Sequence, residues 1–253
     1  MTAPAPLPTD AEREELVGSW SMYQRRGGHR ASTDDVVTAW LAVRGSSSAP
    51  ARYLDLGCGV GTVLLLTAHA LRPGRSVGIE AQDESHTMCA RSIAELPDPP
   101  AIQLLHGDFR SVDVAALGPF DLVTGSPPYF PEGTGVLPAD PQRRACRFEL
   151  RGGVEDYAIA AARVLAPGGR FVVVFPSAGA ARAQAAAGAA GLHERSHARL
   201  WMREGRPAPF LDVWCFAREP GDVERLSFAI RDASGAVSDD YATARALLGL
   251  RRG

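Results

Sequence analysis

The sequence predicts an α/β protein built on a doubly wound, mostly parallel sheet with an antiparallel C-terminal edge hairpin. Three observations carry this expectation. From residue 51 onward short apolar runs alternate with helix-length segments, the pattern of strands buried on both faces and joined by crossover helices. A glycine-rich stretch, Asp55-Leu56-Gly57-Cys58-Gly59-Val60-Gly61, stands where the first such strand meets the first such helix. In the last third the apolar runs lengthen and are joined by the turn-rich Gly205-Arg206-Pro207-Ala208-Pro209, which reads as a hairpin rather than a crossover.

Taken in order, residues 1–15 read as a disordered tail, Pro- and Ala-rich at the start, with neither a basic nor an apolar leader segment. Ser32-Thr33-Asp34-Asp35 supplies an N-cap and an acidic first turn for a helix with Val36, Val37, Trp40 and Leu41 at helical spacing. Gly45 to Pro50 reads as a linker. Strands are expected at Tyr53 to Leu56, Ser76 to Ile79, Ile102 to Leu105, Phe120 to Val123 and Phe171 to Phe175, separated by helices near 61–71, 84–96 and 154–165. The Ala-rich stretch 178–190 reads as helix because Ala has the best helix propensity. Leu192 to Met202 and Phe210 to Arg218 form the hairpin, and a strand near 225–231 and a closing helix near 238–249 follow.

Composition excludes several classes. The 253 residues are 45 % apolar and carry a formal net charge of −2, so any nucleic-acid partner has to be held by a local basic patch. Cys58, Cys89, Cys146 and Cys215 are far apart with no C-x-x-C pair. That spacing suggests neither a zinc ribbon nor a disulfide framework and fits a reducing cytoplasm. No apolar run approaches the ~18 residues of a membrane span, and a cytoplasmic protein without membrane contact is expected. His193-Glu194-Arg195-Ser196-His197 matches the zinc-protease signature H-E-x-x-H, but that chemistry needs both histidines on one helical face. The segment runs into the strand-like Ala198 to Met202, a geometry that does not bring them together as ligands, so no metal is expected.

The glycine stretch lies where a doubly wound sheet binds ligands, at the carboxyl ends of its strands. It departs from the dinucleotide fingerprint, because Thr62 stands at the position of the last glycine. Gly57, Gly59 and Gly61 instead let the backbone wrap closely around a ligand. Glu80 ends the second strand, where a carboxylate can accept both ribose hydroxyls. Asp108, in His106-Gly107-Asp108-Phe109 after the third strand, is placed to accept from an adenine amine. Together they describe a pocket for an adenosine carrying an amino acid rather than phosphates. Ser126-Pro127-Pro128-Tyr129 follows the fourth strand, and neither proline can donate to the ladder. The segment is either a strand terminator or a rigid platform presenting Ser126 and Tyr129 to a ligand.

On these residues the chain resembles the class I S-adenosylmethionine-dependent methyltransferases, which implies a Rossmann-like seven-stranded sheet. Asp55 to Gly61 matches their first motif, Glu80 their ribose-binding acid and Asp108 their adenine-binding acid. The implied site for S-adenosyl-L-methionine comprises Thr33, Asp34, Asp55, Gly57, Cys58, Gly59, Gly61, Glu80, Ala81, Asp108, Phe109 and Ser126. Ser-Pro-Pro-Tyr matches the [NDS]-P-P-[YFW] motif of members that methylate planar amines. It implies a catalytic platform of Ser126, Pro127, Pro128 and Tyr129. In that reading Ser126 Oγ and the Pro127 carbonyl accept the two N–H groups of the target, and Tyr129 stacks on its plane. Positioning and electrostatics then do the catalysis.

Outside the cofactor motifs the chain is most similar to the bacterial tRNA(Val) adenine-N6-methyltransferase group. The likeness runs through His29 to Ala42, Ser126 to Gly133, Pro138 to Glu149 and Ser238 to Gly249. It implies tRNA as partner, with Arg143, Arg144 and Arg147 on its phosphates, and Arg25, Arg26, His29 and Arg30 as a second basic cluster. Phe130 is either a base-stacking aromatic or a core residue. The implied organisation is a tail over 1–15, a cofactor-lid segment and linker over 16–50, and the methyltransferase domain over 51–253. Ser126 replaces the commoner asparagine, and serine is frequent in cytosine-N4 enzymes. Cytosine N4, a glutamine amide, a small-molecule amine and a non-catalytic RNA-binding protein on the same fold therefore stay open. Glutamine-N5 enzymes usually carry a helical domain ahead of the glycine loop, for which residues 1–50 are short. Cytosine-N4 DNA enzymes need a target-recognition domain, for which no segment is large enough.

Overall fold

In the computed structural model, which describes residues 6–251, the chain opens with an antiparallel ribbon of β1 (Ala11–Val17) and β2 (Trp20–Arg25). This corrects the expected tail: residues 11–15 are paired, and residues 1–5 lie outside the described residues. The charged run Glu12-Arg13-Glu14-Glu15 hides the strand from a hydrophobicity reading. Only Val17, Trp20, Met22 and Gln24 turn fully inward, seating the ribbon beside α3 (Asp83–Ala94), where Tyr23 N–H donates to Ser92 Oγ at 2.8 Å.

The remaining elements are α1 (Thr33–Arg44), β3 (Arg52–Leu56), α2 (Thr62–Leu71), β4 (Arg75–Glu80), β5 (Ile102–His106), β6 (Phe120–Gly125), α4 (Pro141–Arg147), α5 (Val154–Val164), β7 (Leu165–Pro176), α6 (Ala180–Ala189), β8 (His193–Trp201), β9 (Leu211–Ala217), β10 (Glu224–Ala229) and α7 (Asp239–Leu247). Strand order is β10-β8-β9-β7-β6-β3-β4-β5, with β9 antiparallel to both neighbours. The expected hairpin forms, but it is not at the edge. β10 adds parallel to β8 and makes an eight-stranded sheet.

Alternate residues of the strands feed two cores, as a pleated strand requires. Tyr53, Leu122, Val172, Val174, Val213 and Cys215 face α1, α2 and α7, whereas Leu54, Val123, Phe171, Val173, Trp214 and Phe216 face α5 and α6. All are essentially closed to solvent, and each large side chain buried this way contributes about 1.5–3 kcal/mol. The H-E-x-x-H segment lies on β8, with His193 exposed and His197 buried against Asp212. No helix among the described residues is long and apolar enough to cross a membrane.

The order of the sheet fixes the site. From β3 the chain steps outward through β4 and β5, then returns to the other side of β3 with β6 and β7. That reversal leaves a crevice at the carboxyl ends of β3 and β6, where Asp55 registers with Thr124 and Leu56 with Gly125.

Candidate active site

A cleft of about 830 Å³, counting its open mouth, occupies this crevice, within the size range of small-molecule sites. Its floor is the glycine loop. Gly57, Gly59 and Gly61 have φ of +62°, +58° and +96°, a left-handed conformation that suits only glycine without strain. A Cβ on Gly57 would stand 2.3 Å from Tyr157 Oη, whereas one on Gly59 would meet nothing within 4 Å and project into open space. The Cys58 N–H donates to the Ile79 carbonyl at 2.9 Å and ties the loop to β4.

Carboxylates surround this floor. Glu80 is 5 % exposed and accepts from the Gly59 N–H at 2.8 Å and the Gln82 N–H at 2.7 Å. Burial raises its pKa, and those two donors pull the other way. Asp55 is 2 % exposed; its Oδ1 accepts from Thr124 Oγ1 at 2.6 Å, and its Oδ2 is buried without a partner among the described residues. Burial pushes its carboxyl up to about 7. Asp35 also lines the cleft, and burial together with Asp34 pushes it up to about 8. Asp108 is held by Arg110, whose backbone N–H lies 2.9 Å and Nη2 2.6 Å from its oxygens, and this guanidinium keeps it below the usual carboxylate range.

Ser126 follows β6 directly and faces the cleft, its Oγ buried and without a hydrogen-bond partner among the described residues. Pro127 and Pro128 are both buried, and Pro128 also lines the cleft. Tyr129 leaves the cleft wall and donates its hydroxyl to Asp34 Oδ2 at 2.7 Å, while its ring meets Phe175 edge-on at 5.8 Å. Phe130 is 46 % exposed and tilts against Phe148, so it is not a core residue.

Of the expected cofactor residues, the cleft brings together Asp55, Gly57, Cys58, Gly59, Glu80, Ala81, Asp108, Phe109 and Ser126. Gly61 turns toward Cys89 at the start of α2. Thr33 and Asp34 stand outside the lining, Thr33 near the Tyr241 hydroxyl of α7. Sequence reasoning missed Tyr157, which closes the cleft beneath Gly57 and packs edge-on to Phe109 at 4.6 Å. It also missed Gln82, Cys146 and Arg151 in the same wall, and it placed His29 in a basic cluster rather than in this cleft. Tyr157, Cys146 and Arg151 come from segments remote from the glycine loop, whereas Gln82 directly follows Glu80 and Ala81 and was within reach of the same argument.

The two basic clusters differ. Arg25 pairs with Asp10, Glu84 and Asp140, Arg26 with Glu12, and Arg30 with Glu14, so that cluster is internally neutralised. Arg143 and Arg147 are exposed on α4 and have no ion pair among the described residues. Arg144, half-buried, donates to the Pro138 carbonyl at 3.1 Å.

The orphan acceptor on Asp55, the free hydroxyl of Ser126, the buried Glu80 and the apolar walls Ile79 and Phe109 fit a ligand with a cationic end, a ribose and a flat ring. No protein-family model matches the chain. It is 28 % identical over 224 residues to a tRNA1(Val) (adenine(37)-N6)-methyltransferase of Tolumonas auensis, covering 86 % of this chain and 89 % of the relative. A release factor glutamine methyltransferase of Caulobacter vibrioides is 35 % identical over 129 residues, covering 47 % of this chain and 43 % of the relative. A crystal structure from Agrobacterium tumefaciens, described as a predicted O-methyltransferase, superposes with a TM-score of 0.62 at 20 % identity, covering 87 % of this chain and 98 % of its own. That likeness shows the fold alone.

Proposed function

We propose that this S-adenosylmethionine-dependent methyltransferase acts on the exocyclic N6 amine of an adenine in tRNA, near the anticodon. The observation that carries this reading is the buried Ser126 Oγ, without a partner, at the rim of a cleft floored by the glycine loop. A buried hydroxyl with unused hydrogen-bonding capacity is costly unless a ligand completes it.

Glu80 would hold the ribose, Asp108 and Phe109 the adenine, and Asp55 the cationic amino-acid end of the cofactor. When bound, the cofactor supplies an electrophilic methyl group. Ser126 Oγ and the Pro127 carbonyl accept the N–H groups of the target amine, which is a poor nucleophile because its lone pair is delocalised into the ring. Accepting those protons orients the lone pair toward the methyl, and the displaced proton passes to solvent. Tyr129 and Phe130 provide aromatic surface for the target and a neighbouring base, and Arg143 and Arg147 meet backbone phosphates.

The tRNA adenine assignment is supported by the Tolumonas relative's match across most of both chains. A glutamine amide is the second reading, supported by the shorter match to the Caulobacter protein. The test is to incubate the protein with methyl-labelled S-adenosylmethionine and total RNA from a strain lacking it, then identify the labelled nucleoside by mass spectrometry. Labelled N6-methyladenosine in the tRNA fraction is expected. Label on N4-methylcytidine, or label only in a release-factor peptide offered in parallel, would overturn the adenine assignment.

A further inference from the structure

We infer that Asp34 is a positioning residue for the transfer: its carboxylate holds the Tyr129 hydroxyl and fixes the platform ring against the target amine. This rests on the amine-methylation reading of the Ser-Pro-Pro-Tyr segment.

Both oxygens of Asp34 are engaged by protein donors. Oδ2 accepts the Tyr129 hydroxyl at 2.7 Å, and Oδ1 accepts the Ser32 hydroxyl. It also stands outside the cleft lining that its neighbour Asp35 joins. The acceptor also sits on a fixed element. Thr38 Oγ1 donates to the Asp34 carbonyl at 2.7 Å, and Val37, Trp40 and Leu41 bury α1 against the sheet.

The ring at the other end packs against both cores, and its backbone is tied where the Tyr129 and Phe130 N–H groups both donate to the Arg147 carbonyl at 3.1 Å and 3.0 Å. Packing alone leaves such a phenol some freedom about its side-chain torsions. Bonded at its far end to a carboxylate, and with Phe175 edge-on to it at 5.8 Å, it keeps one plane. Catalysis by positioning gains from such restraint, since a displacement of about 1 Å in a reacting group costs about a hundredfold in rate. Asp34 thus joins α1, whose first turn adjoins the cofactor cleft through Asp35, to the residue that orients the target.

The test is a double-mutant cycle of Asp34→Ala and Tyr129→Phe on single-turnover methylation of tRNA, with S-adenosylmethionine affinity measured by calorimetry on each variant. Either substitution alone is expected to lower the transfer rate by about ten- to a hundredfold. The double variant is expected to be no slower than the singles, and cofactor affinity to stay within about twofold. Asp34→Asn, which keeps a neutral acceptor, is expected to recover part of the rate. Multiplicative losses in the double variant, or a tenfold weaker cofactor affinity in Asp34→Ala, would overturn the assignment.

A second readout does not need turnover: 3-fluorotyrosine placed at 129 reports its hydrogen bond through its fluorine resonance. A resonance that shifts and broadens on Asp34→Ala supports the strut, and an unchanged one overturns it. If the wild-type protein leaves tRNA unmethylated, the tRNA reading fails by itself and this resonance still decides the strut.

Discussion

Asp55 illustrates how single residues set the chemistry of the cleft. Burial holds its carboxyl near 7 and Asp35 near 8, so the free protein keeps both largely protonated at pH 6. A cation placed against a carboxyl favours its ionised form, and binding of the cationic cofactor therefore expels protons below these values. Calorimetry at pH 6 in two buffers of different ionisation heat should give different apparent enthalpies, converging as pH rises past both values. Equal enthalpies at pH 6 would contradict the assignment of Asp55 to the cationic end. The glycines make a second residue-scale case. Gly57→Ala combines left-handed strain with a clash on Tyr157 and should cost about 1–3 kcal/mol of stability in a urea titration. Gly59→Ala has no neighbour to strike and should cost less, yet its methyl enters the cleft and should weaken cofactor binding at least as much. Unchanged affinity in Gly59→Ala would remove the loop from the site. The places of Glu80 and Asp108 in the cleft wall were legible in the sequence because a strand end is a fixed address. Tyr157 was not, because only packing brings α5 beneath the loop.

At the scale of elements, the N-terminus of α1 carries an electrostatic cost. Asp35 caps the helix by accepting the Ser32 N–H at 2.9 Å, but its folded-state pKa is raised to about 8. The sign follows: an unfolded Asp ionises near 4, so this group lowers stability increasingly as pH rises from there to about 8, and no further above it. Asp35→Asn keeps an acceptor for the cap and removes the charge. Its melting temperature should exceed that of the wild type by a margin that widens from pH 5 to pH 8 and then levels, and a constant margin would contradict this. The β1–β2 ribbon escaped the sequence reading because three glutamates and an arginine occupy four successive positions of β1. Helix α4 was absent from the sequence reading, since two prolines at 138 and 141 mask its start, although Asp140 caps it by accepting the Arg143 N–H at 2.8 Å and proline at the first helical position is well tolerated.

For the whole molecule, the doubly wound order was readable from alternating apolar runs, and the crevice at the carboxyl ends of β3 and β6 follows from it. The place of β10 was not readable. Its register on β8 is a long-range choice that its own six residues, exposed or half-buried, do not encode. Arg44 of α1 grips Glu224 through both guanidinium nitrogens at 2.6 Å and 2.8 Å and braces that edge. The net charge of −2 likewise hides the partner, since RNA affinity depends on where the arginines stand. If Arg143 and Arg147 each meet a phosphate, the double alanine variant should raise the KM for tRNA and flatten its logarithmic salt dependence by about 1.4–1.8. An unchanged slope would move the RNA to another face.

The most direct measurement takes purified tRNA from a strain lacking the protein and treats it with wild type or with Ser126→Ala. The modified position is then mapped by mass spectrometry, and cofactor affinity is measured alongside. The account predicts a single N6-methyladenosine beside the anticodon with the wild type, at least a tenfold slower reaction with Ser126→Ala, and equal cofactor affinity in both. Full activity in Ser126→Ala, or no methyl on any tRNA adenine, would contradict it.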